Sequence, residues 1–136
     1  MISKFDIINA SAGSGKTFAL TKRILVKILK SKDENYFKRI LALTFTNKAA
    51  AEMKSRVLKN LKDFSESKIT DNKTEMFEQV KKELGFSSEK ISILAKERLN
   101  LLLHNYSFFQ IETLDGFNHH IIRSFYKELN LEPDFR

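Results

Sequence analysis

The sequence predicts an α/β protein in which a thin parallel sheet is flanked by helices and interrupted by a helical insert. Three observations predict it. Apolar runs of strand length occur at residues 5–9, 40–44 and 108–112. Stretches with helical periodicity separate and follow them. The middle run, Ile40-Leu41-Ala42-Leu43-Thr44, is apolar continuously rather than alternately, as in a strand covered on both faces of a parallel sheet. Strands alternating with helices imply crossover connections and helices on the sheet faces.

Each element follows from its own residues. Phe5-Asp6-Ile7-Ile8-Asn9 runs straight into the small residues Ala10 to Gly15. In the helix that follows, Leu20, Ile24, Leu25 and Ile28 recur at helical spacing, with Lys22, Arg23, Lys27 and Lys30 mostly around the other face. Ser31 to Asn35 reads as a loop. After the second strand, Ala49 to Phe64 forms a helix with Ala50, Met53, Val57, Leu61 and Phe64 on one stripe. Residues 65–72 form a polar connection. Two more helices are expected at 73–84 and 88–104, punctuated by Gly85, with Ser87 or Ser88 capping the second. After the third strand, Thr113-Leu114-Asp115 turns into a helix over 115–129 that carries Phe117, Ile121, Ile122 and Phe125. Three strands fall below the usual sheet of about four to six. The chain closes at Asp134-Phe135-Arg136 without a terminating signal, so an N-terminal piece of something larger is expected.

Composition narrows the function classes. At 136 residues, 42% hydrophobic and 30% charged, the chain has ordinary globular usage and suits one domain. It has no cysteine, which excludes disulfides and thiolate-bound metals. No apolar run approaches the roughly 20 residues of a membrane span. The N-terminus lacks a signal-peptide core, so a cytoplasmic protein without membrane partners is expected. Lys plus Arg number 24 against 17 acids, a net of +7. Residues 1–68 carry 15 basic and 6 acidic side chains, and residues 69–136 carry 9 and 11. A basic front half suits nucleic acid or nucleotide phosphate, and equally a lysine-rich solvated surface.

The strongest chemical signal is Ala10-Ser11-Ala12-Gly13-Ser14-Gly15-Lys16-Thr17. It follows a strand and opens a helix, and it matches the phosphate-loop pattern except for Ala10 at the first glycine. Small residues let consecutive backbone N–H groups wrap phosphates. The helix start adds unpaired N–H groups and the positive end of its dipole. Lys16 supplies a point charge toward the β- and γ-phosphates, and the Thr17 hydroxyl is a hard oxygen ligand for Mg²⁺. The expected ligands are therefore a nucleoside triphosphate and magnesium. Hydrolysis also needs an acidic magnesium partner, a water-orienting carboxylate and an arginine finger. No strand here ends in an Asp-Glu pair, and Asp115 reads as well as a helix-capping residue.

Ligands of parallel sheets gather at the carboxyl ends of the strands. The second strand ends in Thr44-Phe45-Thr46-Asn47-Lys48, with two hydroxyls, an amide and an ammonium for phosphate oxygens and a phenyl face for a base. Single-stranded nucleic acid is gripped by that combination. The alternative is a helix cap at Thr46 or Asn47 with Phe45 in the core. At the third strand end stand Thr113 and, beyond it, His119 and His120. Adjacent histidines diverge by about 100° on a helix, so a shared metal is not expected.

These residues resemble a family. The phosphate loop, then Leu43-Thr44-Phe45-Thr46-Asn47-Lys48-Ala49-Ala50-Ala51-Glu52-Met53, then Glu112-Thr113-Leu114-Asp115-Gly116-Phe117 occur in the order found at the start of superfamily 1 DNA helicases of the UvrD/Rep/RecB type. The second stretch is similar to that family's motif Ia almost letter for letter. The third is similar to motif Ic, with Gly116 where a serine is usual. Alanine at the first loop position is tolerated there, which accounts for Ala10. The helical stretch over 65–105 resembles the RecB and AddA branch, and Leu131-Glu132-Pro133-Asp134-Phe135-Arg136 resembles the passage into the inserted subdomain 1B.

The resemblance implies a RecA-like P-loop fold over 1–136, the first part of domain 1A, ending before motif II. It implies ATP phosphate contacts along Ala10–Thr17, with Lys16 and Thr17 catalytic, Thr17 on magnesium, and single-stranded DNA at Phe45, Thr46, Asn47, Lys48 and Thr113. The activity implied is ATP-driven 3′–5′ translocation by a helicase or helicase–nuclease in repair or recombination. It requires a second RecA-like domain and in some relatives a nuclease domain or subunit. Only nine residues precede Ala10, so no glutamine motif for adenine is present. Without motif II and arginine fingers, the chain alone is expected to be inactive. Two other functions compete: a small P-loop kinase, for which the scattered arginines supply no lid, and a non-catalytic remnant that binds single-stranded DNA.

Overall fold

A computed structural model describes residues 6–9, 14–66 and 74–129. Three short apolar segments pair side by side in chain order, all parallel: β1 (Asp6–Asn9), β2 (Ile40–Thr44) and β3 (Gln110–Thr113). Asn9 stands opposite Leu43, Leu43 opposite Glu112, and Thr44 opposite Thr113. The carboxyl ends of all three strands therefore share one edge, with neighbours about 4.8 Å apart. As the middle strand, β2 buries Ile40, Leu41, Ala42 and Thr44, which is why its run is apolar on both faces. β3 starts two residues later than the sequence predicts. Tyr106–Phe108 forms a 3-10 turn in which Phe108 N–H donates to the Asn105 carbonyl at 2.9 Å. That turn leaves Phe108 outside while Phe109 fills the core.

Five helices accompany the sheet: α1 (Ser14–Lys30), α2 (Asn47–Glu66), α3 (Glu75–Leu84), α4 (Ser88–His104) and α5 (Leu114–Glu128). On α1 the expected stripe is inside, with Ile24, Leu25 and Ile28 buried. Val26 and Leu29 are buried too, because α3 and α4 cover α1 along with α2. On α2 all five expected residues are buried. The Thr74 side chain caps α3, and Gly85 ends it with a φ of 69°, a left-handed conformation that favours glycine. Of the two candidate serines, Ser87 caps α4 by accepting from Lys90 N–H, while Ser88 accepts from the Lys81 ammonium.

The helical insert is continuous with the core. Met76, Phe77 and Val80 of α3 and Ile91, Ala95 and Leu102 of α4 join one cluster with the apolar residues of α1 and α2. Phe64 and Phe77 meet edge to face with ring centroids 5.2 Å apart. α5 behaves otherwise. It packs against β2 and β3, yet Ile121, Ile122 and Phe125 of its expected apolar stripe are exposed. The stripe lies on the helix face opposite Gly116, His119, His120 and Arg123, and these four line a groove toward the sheet. Phe5, Ala10–Gly13, most of the polar connection and the tail from Asn130 lie outside the described residues, as does the side chain of Phe117.

Candidate functional site at the carboxyl edge of the sheet

β1 ends at Asn9 and α1 begins at Ser14, so a strand precedes a helix in the order that a phosphate loop requires. Ser14, Gly15 and Lys16 supply the backbone of the first turn, which contains no acid. Ala10, Ser11, Ala12 and Gly13 lie outside the described residues, as do the side chains of Ser14 and Lys16. Thr17 is half-buried, and its carbonyl accepts the hydroxyl of buried Thr21 at 2.8 Å. Among the described residues no group of three or more His, Asp or Glu is placed to hold a metal. The Thr17 hydroxyl is the group the sequence expects to meet magnesium carried by a polyphosphate, an ion that takes few protein ligands and keeps its own water.

The end of β2 divides into an internal part and an outward part. The sequence predicts a Thr44 hydroxyl offered to phosphate, but the residue is 3% exposed. Its Oγ1 donates to the Thr46 carbonyl at 3.0 Å and lies 3.3 Å from that of Glu112. A hydroxyl with one proton between two carbonyls is a strut joining the ends of β2 and β3. Thr46 accepts from Ala49 N–H at 3.0 Å and so caps α2. The cap uses a lone pair and leaves the O–H proton for a second partner. Phe45 is not in the core: it is 68% exposed, and Thr46, Asn47 and Lys48 line up beside it at the surface or close to it.

At the end of β3, Thr113 accepts from Gly116 N–H at 3.1 Å and caps α5. A Cβ at Gly116 would lie 3.1 Å from Thr113 Oγ1, a tight contact that a shift of a few tenths of an ångström in the cap would relieve. Glu112 is mostly buried, and its carboxylate lies 3.1 Å from His120 Nδ1. Asn47 of α2 and Thr113 open into one groove of about 630 Å³, walled on its far side by His119, His120 and Arg123. Phe45 to Lys48 and Thr113 thus come together along one edge, with α1 starting beyond the end of the same sheet.

Two features escape the sequence reading. Arg98 is 4% exposed; its Nε donates to the Ile28 carbonyl at 3.3 Å, its Nη2 to that of Ser31 at 3.1 Å, and its Nη1 pairs with Glu97 at 2.7 Å. It holds the last carbonyls of α1, where a cation is favoured. A signal for it exists: Arg98 continues the buried stripe of Ile91 and Ala95 toward Leu102. The Glu112–His120 pair crosses from β3 to α5 and leaves no local sequence signature.

Comparison with known proteins matches residues 3–136 to the UvrD/REP helicase N-terminal domain. An ATP-dependent helicase/nuclease subunit from Lactococcus lactis subsp. cremoris (strain SK11) is 31% identical over 96% of this chain and 9% of its own length. The protein of the same name from Latilactobacillus sakei subsp. sakei (strain 23K) is 35% identical over 96% of this chain and 12% of its own. The "Exonuclease/helicase subunit RexA" of Lactococcus lactis subsp. cremoris (strain MG1363) is 30% identical over the same share of this chain and 9% of its own length. The chain therefore spans about a tenth of the length of the curated relatives it matches. No solved structure matches it. With a family match over nearly its whole length, this chain belongs to the UvrD/REP helicase N-terminal domain family.

Proposed function

We propose that this chain is the front part of a P-loop, RecA-like motor domain in an ATP-dependent DNA helicase or helicase–nuclease. In this reading the residues from Ala10 to Thr17 hold the triphosphate of ATP. Lys16 faces the β- and γ-phosphates, and Thr17 takes magnesium. Phe45 stacks on a base of single-stranded DNA, while Thr46, Asn47, Lys48 and Thr113 contact its backbone. The observation that carries this is Phe45, a large apolar ring turned to solvent at a strand end between hydroxyl, amide and ammonium groups. Phe108 and Phe125 are exposed as well; what sets Phe45 apart is its place at a strand end beside the exposed Thr46, Asn47 and Lys48.

Nucleotide and DNA occupy the same sheet edge in this arrangement. Asn9, where the phosphate loop departs, stands two strands from Glu112, about 10 Å across the sheet. The Thr44 strut ties the two DNA-bearing ends together, so a displacement at one is felt at the other. In the whole protein, a second RecA-like domain closing on ATP advances the grip along the strand in the 3′–5′ direction. The product passes to a nuclease domain or partner, in cytoplasmic DNA repair or recombination. The chain alone has no motif II and no arginine finger, and it binds without turnover.

The test is to measure binding of labelled oligothymidylate and of a fluorescent ATP analogue to the chain and to its Phe45→Ala variant. Loss of DNA affinity with nucleotide affinity intact is expected. Equal loss of both assigns Phe45 a folding role and overturns the reading. ATP turnover by the chain alone that Lys16→Ala abolishes overturns its assignment as a binding-only part. Phosphate transfer to a small acceptor identifies a kinase instead.

A further inference from the structure

We infer that the strand continues past Thr113 into the groove beneath α5, where Arg123 contacts its phosphodiester backbone. This rests on the reading of Phe45 and Thr113 as DNA contacts, and it adds a site on a helix that reading does not use. The groove holds about 630 Å³ and opens directly from Asn47 and Thr113. Its far wall is one face of α5. Gly116, His119, His120 and Arg123 recur at three- and four-residue spacing, so they stand above one another along the helix. α5 turns this polar face toward the strand ends and its apolar stripe away from them. A helix held only by packing would do the reverse.

The lining chemistry suits a polyanion. Glu112 is the single acid among the lining residues, and its carboxylate lies against His120, one helical turn from Arg123. The lining thus carries one acid, paired with His120, and one guanidinium, whose planar fork of donors matches phosphate oxygens. Gly116 adds no side chain to the wall beside the Thr113 cap, at the start of the path from Thr113 along α5. From Thr113 to Arg123 that path runs about 15 Å at helical rise. Phe45 and Arg123 thus divide the work: the ring takes a base, and the guanidinium takes a phosphate further along the same strand.

The test is a salt titration of fluorescein-labelled oligothymidylate binding to the chain and its variants, read by anisotropy. One phosphate contact on a single strand contributes about 0.7 to the slope of log affinity against log salt. Arg123→Gln is expected to lower the slope by about that amount and to weaken binding about fivefold at low salt. Arg123→Lys is expected to restore the slope, since charge sets it. Lys90→Gln, at a lysine that lies over the Phe86 ring away from this edge, leaves it unchanged. Arg123 is exposed, and the circular dichroism of each variant checks that the fold is retained. Phe45-dependent binding with an Arg123→Gln slope equal to that of the parent chain overturns this inference alone. No binding by the parent chain overturns the reading beneath it as well.

Discussion

α1 to α4 and α5 all carry apolar stripes at helical spacing, and the stripes end in opposite environments. Ile24, Val57, Phe77 and Ile91 are buried, while Phe125 is 58% exposed and Ile121 50%. The difference lies in what each helix finds nearby. α3 and α4 follow α2 and fold back on α1 and α2, so each supplies the cover for another. α5 leaves the edge strand β3 with its polar face over the groove, and among the described residues no element covers its other side. Periodicity therefore specifies a helix and its two faces. Which face is covered depends on partners that periodicity does not name.

The largest effect that would sharpen this contrast is in the helical half. Phe64→Ala removes a fully buried ring and its edge-to-face contact with Phe77. A loss of about 3–5 kcal/mol is expected from transfer and cavity terms together. It would be read as a fall in the urea midpoint with an unchanged slope. A loss below about 1 kcal/mol, the size of an ordinary substitution, would mean that the insert does not share the core of α1 and α2.

Arg98→Ala comes next. It removes donors from the Ile28 and Ser31 carbonyls and a partner from the half-exposed Glu97. Hydrogen bonds from a charged donor are worth about 1.5–3 kcal/mol, and the solvated Glu97 pair adds little. Loss within that range is expected in urea unfolding. Arg98→Met, which keeps volume without donors, separates packing from capping: recovery of full stability would reduce Arg98 to a space-filling role.

Phe45→Ala tests the sheet edge. The ring is exposed, so folding stability should move by less than about 0.5 kcal/mol. Affinity for oligothymidylate should fall by about 1–3 kcal/mol, one stacked base, in the same preparation. A variant that loses stability and affinity together would place Phe45 with the core residues of the helical half.

Much of this is legible in the sequence because the informative residues act locally. The continuous apolar run of β2, the stripe of α2 and the Gly85 break each depend on neighbours within a turn or a strand, whereas α5 is capped by Thr113 and starts at Leu114, ahead of the Asp115 cap the sequence suggests. The late start of β3 is not legible, because Phe108 and Phe109 are the same residue type and only the 3-10 turn before β3 decides which is inside. Thr44 resembles a phosphate ligand in the sequence because its burial against β3, with one of its two partner carbonyls on Glu112, 68 residues away, has no local signature. Phe45 stands open between core and surface for the same reason. Its environment is set by how the β2 end meets α2 and β3, which no spacing encodes.

The smallest expected effect tests α5 itself. Ile121→Ser and Phe125→Ser each place a hydroxyl where the native side chain already meets water. The folded state loses little burial, and the unfolded chain loses an apolar group that would otherwise cluster. Both variants should therefore unfold within about 0.5 kcal/mol of the parent chain, and both should be at least as soluble. The exposed stripe also predicts that the parent chain self-associates more readily than either variant, which sedimentation across a range of concentrations would measure. A loss above about 1.5 kcal/mol at low concentration, without self-association, would mean that the stripe is covered within one chain. α5 would then be a fifth core helix, and the contrast with α1 to α4 would disappear.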